Sequence, residues 1–246
     1  MVHVDRNEII QFVKTKEFFE YPYQNRQSRV EVKLESQNDL ESIPNASDYL
    51  VAFSSQNHSY CVGCVDMVNS TKISASMSPH NLSGYYEIFL NSMSKIIGKF
   101  GGKVIKNVGD CLLFYFPASK DSKNMDGLIS AIDCGLAMTE AQQPICQELA
   151  EKKLPCLNYR ISADYGTVLI MNTTDSQQID MIGPPVNMCT KINRCAHKNE
   201  FVIGSDLHLI AKKIQKFKFT QTKSCDVGFA QSYPTFIVEH RKKQLV

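Results

Sequence analysis

The sequence predicts an α+β fold, a palm-like, ferredoxin-like split βαβ sheet enlarged by a helix and strands at its C-terminal end. Three observations carry this. Strand-like and helix-like stretches follow one another from Ser59 in the order β-α-β-β-α-β. The second and third strand stretches are separated only by a short polar turn at Gly109. Each helical stretch carries its apolar residues on one face. In this arrangement the third strand inserts antiparallel between the first two.

The elements follow in chain order. Residues 1–55 read as an extension, with a short amphipathic helix in "NEIIQFVKTKEFFEY" and a polar linker, "QNRQSRVEVKLESQNDLESIPNAS". The first strand is "SYCVGCVDM". Ser78 as N-cap and Pro79 at the first helical position then open a helix that runs to Gly101-Gly102. Its residues Leu82, Tyr86, Phe89, Met93, Ile96, Ile97 and Phe100 recur at helical spacing, which predicts core. Strands "KVIKNV" and "CLLFYF" flank the Gly109 turn. A second helix places Leu128, Ile132 and Leu136 on one face, and a strand "YRISADYG" continues through "TVLIM". Beyond a loop "NTTDSQQID", a helix starts near Pro185, and terminal strands lie around "FKFTQT" and "PTFIVEH". Residues 241–246 form a basic tail.

Composition narrows the classes of function. At 246 residues and 43% hydrophobic content the chain suits one large core. A net charge of +2, from 27 basic and 25 acidic residues, gives no electrostatic reason to expect a nucleic-acid or membrane partner. The opening "MVHVDRNEII" lacks an apolar targeting core, and "CLLFYFPA" is far shorter than the ~18 residues of a membrane span. A cytoplasmic protein is expected. Nine cysteines without framework spacing predict reduced thiols. Cys61 and Cys64 lie three apart in a strand, hence on opposite faces, so packing is expected rather than a metal knuckle.

Topology gives two aspartates a common address. Asp66 ends the first strand and Asp110 begins the third, and antiparallel neighbours set the end of one beside the start of the other. Two carboxylates so placed repel unless a cation neutralises them, and hard oxygen donors suit Mg²⁺ or Mn²⁺. In "IDMIGPPVNMCTKINRCAHK", Asn187, Lys191 and Arg194 fall at i, i+4 and i+7 on one polar stripe, opposite Cys189, Ile192 and Ala196. A donor-rich face of that kind suits a phosphate.

Together these residues resemble the class III nucleotidyl cyclase catalytic domain, the adenylate and guanylate cyclase homology domain, over residues 56–240. "CVDMVNSTKIS" is similar to the family's first metal-aspartate motif. "KNVGDCLLFYF" is similar to its Lys-Thr-x-Gly-Asp hairpin, and "DMIGPPVNMCTK" to its Asp-x-x-Gly-x-x-Val-Asn-x-x-x-Arg block. The resemblance implies that Asp66 and Asp110 hold two Mg²⁺ or Mn²⁺ ions per site. It implies that Lys106 and Asp180 read the purine and that Asn187 orients the transition state. It further implies a homodimer whose active sites are shared between chains. The family's guanine readers typically carry Glu and Cys at the base-reading positions, so Lys106 with Asp180 is the ATP pattern.

Two positions depart from the family. Lys191 stands where the family has its transition-state arginine, which keeps the charge and loses the bidentate fork; Arg194, one turn on, is the candidate substitute. Val227 stands where a phosphate-contacting lysine is usual, with Lys223 nearby as the candidate replacement. The expectation is an adenylate cyclase that forms cyclic AMP and pyrophosphate from ATP. The alternative is a weak or inactive homologue that binds nucleotide as a regulatory dimer module.

Overall fold

The structure, a computed structural model, describes residues 6–20, 50–121, 125–173, 179–222 and 233–241. Its strands are β1 (Val51–Met67), β2 (Lys103–Val108), β3 (Cys111–Phe116), β4 (Tyr159–Thr173), β5 (Ile179–Ile182), β6 (Phe201–Gly204), β7 (Phe217–Gln221) and β8 (Thr235–His240). They form one mixed sheet in the order β2-β3-β1-β4-β6-β8-β7, with β5 paired to β4. The third strand does lie between the first two. β1 runs antiparallel to β3, from Cys61 opposite Phe116 to Asp66 opposite Cys111, and β4 runs antiparallel to β1 on its other side.

The helices are α1 (Arg6–Val13), α2 (Lys16–Phe19), α3 (Ser70–Ser76), α4 (Pro79–Lys99), α5 (Met125–Glu151), α6 (Pro184–Asn193) and α7 (Ser205–Ala211). Ser78 caps α4 as expected: its Oγ accepts from Asn81 N at 3.4 Å, and Pro79 opens the helix. The helix stops where Gly101 takes a φ of 78°, which lets Gly102 N–H return to the carbonyl of Ile97 at 2.9 Å. Its buried stripe includes Phe89, Met93, Ile96, Ile97 and Phe100 as read from the periodicity, but it enters through Tyr85 and Ile88. Leu82 and Tyr86 are only half-buried.

Alternation along β1 divides the core in two. Cys61, Val65 and Met67 face α4 and α5 in the larger cluster, whereas Tyr60, Val62 and Cys64 join Leu113, Val168, Val186 and Cys189 on the side of α6. Cys61 and Cys64 are each buried in one of these clusters, so they pack and do not form a knuckle. Asp66, in phase with Val62 and Cys64, shares the α6 side. Asp164, farther along the same register on β4, is buried and accepts from Tyr233 Oη at 2.7 Å, Tyr165 N at 2.9 Å and Leu207 N at 3.1 Å.

Several features correct the sequence reading. β1 begins at Val51, ahead of Ser59, and α3, α7 and the four-residue strands β5 and β6 join the expected elements. Ile179 and Asp180 leave the expected loop to pair with Asn172 and Met171. Cys146 and Cys156 form a disulfide, with Cα atoms 4.6 Å apart, so the expectation of reduced thiols does not hold at that pair. The chain reverses between α5 and β4 and brings residues ten apart together there. At the N-terminus, Ile9, Val13 and Phe18 are buried against α4 and α5, and Lys95 of α4 donates to the carbonyls of Phe18 and Glu20. Among the described residues no helix is long and apolar enough to cross a membrane.

Candidate active site

The β2–β3 hairpin turns at Gly109, whose φ of 62° needs a residue without a Cβ penalty, and this places Asp110 at the head of β3. Asp66 lies opposite Cys111, the next residue along, and opposite Arg160 on its other flank. The aspartates therefore converge. Burial raises the Asp66 pKa first and the charge of Asp110 raises it further, while Arg160 and Arg194 pull it down. Strand register fixes the two backbones side by side, because β1 is paired on both of its edges.

That donor set fits a hard divalent ion. The two carboxylates supply oxygen ligands whose mutual repulsion a cation would relieve, and Asp66 is half-buried, where such relief is worth most. Among the described residues no group of three or more His, Cys, Asp and Glu side chains is placed to hold a metal. Two carboxylates alone would leave coordination positions for other oxygen donors, such as water and phosphate.

The second pair joins β2, two residues short of its turn end, to β5. Lys106 Nζ donates to Asp180 Oδ2 in an ion pair that joins β2 to β5 across 74 residues of sequence. Asp180 Oδ1 also accepts from Met181 N at 2.8 Å, which orients the carboxylate. Both side chains remain partly exposed, Lys106 at 39% and Asp180 at 20%, so a planar ligand can reach them. A lysine presents donors and a carboxylate presents acceptors side by side, the complement of a base edge that carries one acceptor and one donor.

Helix α6 is tied to the sheet by its inner face. Asn193 Nδ2 donates to the Arg160 carbonyl at 3.1 Å and to Ser162 Oγ at 3.2 Å, and Ser162 Oγ donates to the Cys189 carbonyl at 2.6 Å. Cys189, Ile192 and Ala196 are buried, as the periodicity predicts. Asn187, Lys191 and Arg194 are exposed on the opposite stripe, and Arg194 caps the C-terminal end of α6. Of the two cations on the stripe, Arg194 is the one whose charge reaches Asp66 of the same chain. Lys223 lies outside the described residues.

Sequence reasoning missed Arg160. Its Nε is buried without a hydrogen-bond partner among the described residues, and its charge bears on Asp66. The signal was present in the β1–β4 pairing, since continuing the antiparallel register from the strand ends puts Arg160 opposite Asp66.

The family model described as the adenylate and guanylate cyclase catalytic domain matches residues 54–240. A cytidylate cyclase from Staphylococcus aureus is 24% identical over 197 residues, covering 76% of this chain and 46% of that protein. Adenylate cyclase type 9 from Xenopus laevis is 32% identical over 104 residues, covering 42% of this chain and 8% of that protein. The chain thus spans less than half the length of these relatives. Among solved structures, the adenylyl cyclase CyaB from P. aeruginosa superposes with a TM-score of 0.68 at 23% identity, over 78% of this chain and 98% of that one. The guanylyl cyclase Cya2 gives 0.65 at 19% identity, over 77% and 96%. At such identities the two structures establish a common fold and nothing finer.

Proposed function

The chain belongs to the adenylate and guanylate cyclase catalytic-domain family, and from that premise we propose that it is an adenylate cyclase, forming 3′,5′-cyclic AMP and pyrophosphate from ATP. The observation that carries the reading is the Lys106–Asp180 pair, which joins β5 to the β2–β3 hairpin whose turn leads into Asp110. On adenine, Lys106 donates to N1 and Asp180 accepts from the exocyclic amine. On guanine the donor and acceptor exchange places, and on cytosine the ring is one fused cycle smaller, so either base meets this pair less well.

Asp66 and Asp110 are the ligands in this reading, for two Mg²⁺ or Mn²⁺ ions per site. Divalent ions bound there supply Lewis acidity at the phosphates and ease ionisation of the ribose 3′-hydroxyl. The remaining tasks fall to the chain. Asn187 orients the reacting ribose, Lys191 or Arg194 meets negative charge as it develops, and Lys223 is the candidate for the terminal phosphates. In the proposed homodimer each site draws its carboxylates from one protomer and its base-reading and α6 residues from the other, with residues 56–240 as the catalytic domain, residues 1–55 as an N-terminal extension and residues 241–246 as a basic tail.

A second reading has one observation behind it. Lys191 occupies the family's arginine position as a point charge without a fork, which favours a weak or inactive homologue that binds nucleotide as a regulatory dimer module. The deciding experiment offers purified protein each of ATP, GTP, CTP and UTP with Mg²⁺ and then Mn²⁺, and scores cyclic product and pyrophosphate. Cyclic AMP alone is the expected outcome. Cyclic GMP or a cyclic pyrimidine nucleotide as the main product overturns the base assignment, and nucleotide binding without product selects the regulatory module.

A further inference from the structure

Cys64 and Cys111 sit on adjacent strands with their sulfurs 3.2 Å apart, and neither is in a disulfide. Cys64 is opposite Leu113 and Cys111 is opposite Asp66, so the two are diagonal neighbours on the α6 face of β1 and β3. Their positions relative to the carboxylates are what matters. Cys111 follows Asp110 directly, and Cys64 precedes Asp66 by one pleat. Cys111 is half-buried and open to a small oxidant, whereas Cys64 is buried at 1% exposure.

We propose that Cys64 and Cys111 form a reversible peroxide-oxidised disulfide site that sets the spacing of Asp66 and Asp110; its effect on turnover rests on the cyclase reading above, whereas the bond itself does not. The chemistry balances in two steps. The Cys111 sulfur attacks a hydroperoxide, the O–O bond breaks, and sulfenic acid forms with release of water or an alcohol. Cys64 then attacks that sulfur, its proton leaves with the hydroxyl as a second water, and the S–S bond closes. Two thiols lose two electrons and the peroxide gains them.

Closure has a mechanical result. A disulfide needs sulfurs at about 2.05 Å and Cα atoms within roughly 6.8 Å, whereas diagonal residues in an antiparallel pair lie about 7–8 Å apart. The sulfurs must approach by more than an ångström, and the head of β3 must shear along β1 to allow it. Asp110 moves with Cys111. A bond that closes only by displacing backbone is of the easily reduced, regulatory kind, so a thiol reductant reopens it.

The test treats the full chain with hydrogen peroxide, alkylates the remaining thiols, and maps peptides by mass spectrometry. The expected product is a peptide pair linked through Cys64 and Cys111, two hydrogens lighter than its reduced form and absent after dithiothreitol. Mn²⁺ binding, followed by electron paramagnetic resonance, should weaken on oxidation and recover on reduction. Cyclase turnover should fall by about a hundredfold, as an ångström-scale misplacement of reacting groups does. Cys111→Ser should keep basal turnover and resist peroxide, and Cys64→Ala provides the same test should that variant not fold. No linked peptide, or linkage of either residue only to Cys189, overturns the proposal. A linked peptide with unchanged Mn²⁺ binding overturns its coupling to the carboxylates. A linked peptide and weakened Mn²⁺ binding in a protein that makes no cyclic nucleotide supports the site while refuting the cyclase reading.

Discussion

Two charged pairs occupy one sheet under opposite electrostatics. Lys106 and Asp180 attract each other and meet in an ion pair before any ligand arrives. Asp66 and Asp110 repel, although the register of β1 against β3 sets their backbones side by side. Under the proposed function the first pair would give up part of its mutual contact to take a base. The second would be relieved by a bound cation. In the proposed shared site, selectivity would come from the attracting pair, whose contact only the right ligand replaces, and affinity from the repelling pair.

Breaking the repelling pair should have the largest effect. Asp66→Asn and Asp110→Asn are each expected to lower turnover by at least about a hundredfold while leaving the melting temperature unchanged or raised, since each removes a like charge from the ligand-free fold. Steady-state kinetics with calorimetry checks both halves; near-normal turnover in either variant refutes the metal assignment. Lys191→Ala comes next. A loss of about a hundredfold in kcat with little change in KM marks a contact made as charge develops, and Lys191→Arg should match or exceed the wild type. A mild Lys191→Ala beside a severe Arg194→Ala moves that role to Arg194.

Breaking the attracting pair should cost less. Lys106→Ala and Asp180→Ala each remove one hydrogen bond to a charged group, worth roughly 1.5–3 kcal/mol, so selectivity for ATP over GTP should fall by about tenfold or more. Competition assays with both nucleotides measure it. Each site of the proposed dimer takes one pair from each chain. Mixing Asp66→Asn with Lys106→Ala protein should restore about a quarter of wild-type activity, because roughly half the dimers are mixed and one of their two sites is intact. Mixed dimers that form and stay inactive refute the shared site.

Asp164 sharpens the comparison without touching turnover. Here burial outweighs three hydrogen-bond donors and lifts the carboxyl from its ordinary 3.8 to about 6. A raised folded pKa means the folded state holds its proton longer. The stability due to this group is therefore full below pH 3.8 and is lost as pH rises to about 6, a change of about 3 kcal/mol. Asp164→Asn should flatten denaturant-measured stability across that window.

Much of this was legible because it depends on period. The inner stripe of α6, the Ser78 cap and the opposite faces of Cys61 and Cys64 all follow from counting residues. The convergence of Asp66 and Asp110 needed only the topology. Arg160 needed one further step of the same register. β5 and β6, at four residues each, are too short to show a period, and the polar run before Ile179 reads as loop until pairing with β4 supplies the missing hydrogen bonds. The meeting of Lys106 with Asp180, 74 residues apart, follows from no local pattern; it came from resemblance to a family.

The docking of α1 and α2 has a practical consequence. Ile9, Val13 and Phe18 are core residues although they precede the family match by more than thirty positions. A gene fragment cut at the homology boundary would therefore expose the apolar backs of α4 and α5 and strip Lys95 of two carbonyl acceptors. Such a fragment is expected to come out of expression as a sticky, poorly soluble product, while one that starts at residue 6 stays in solution. The smallest unit that can be handled at the bench is thus longer than the smallest unit recognisable by descent.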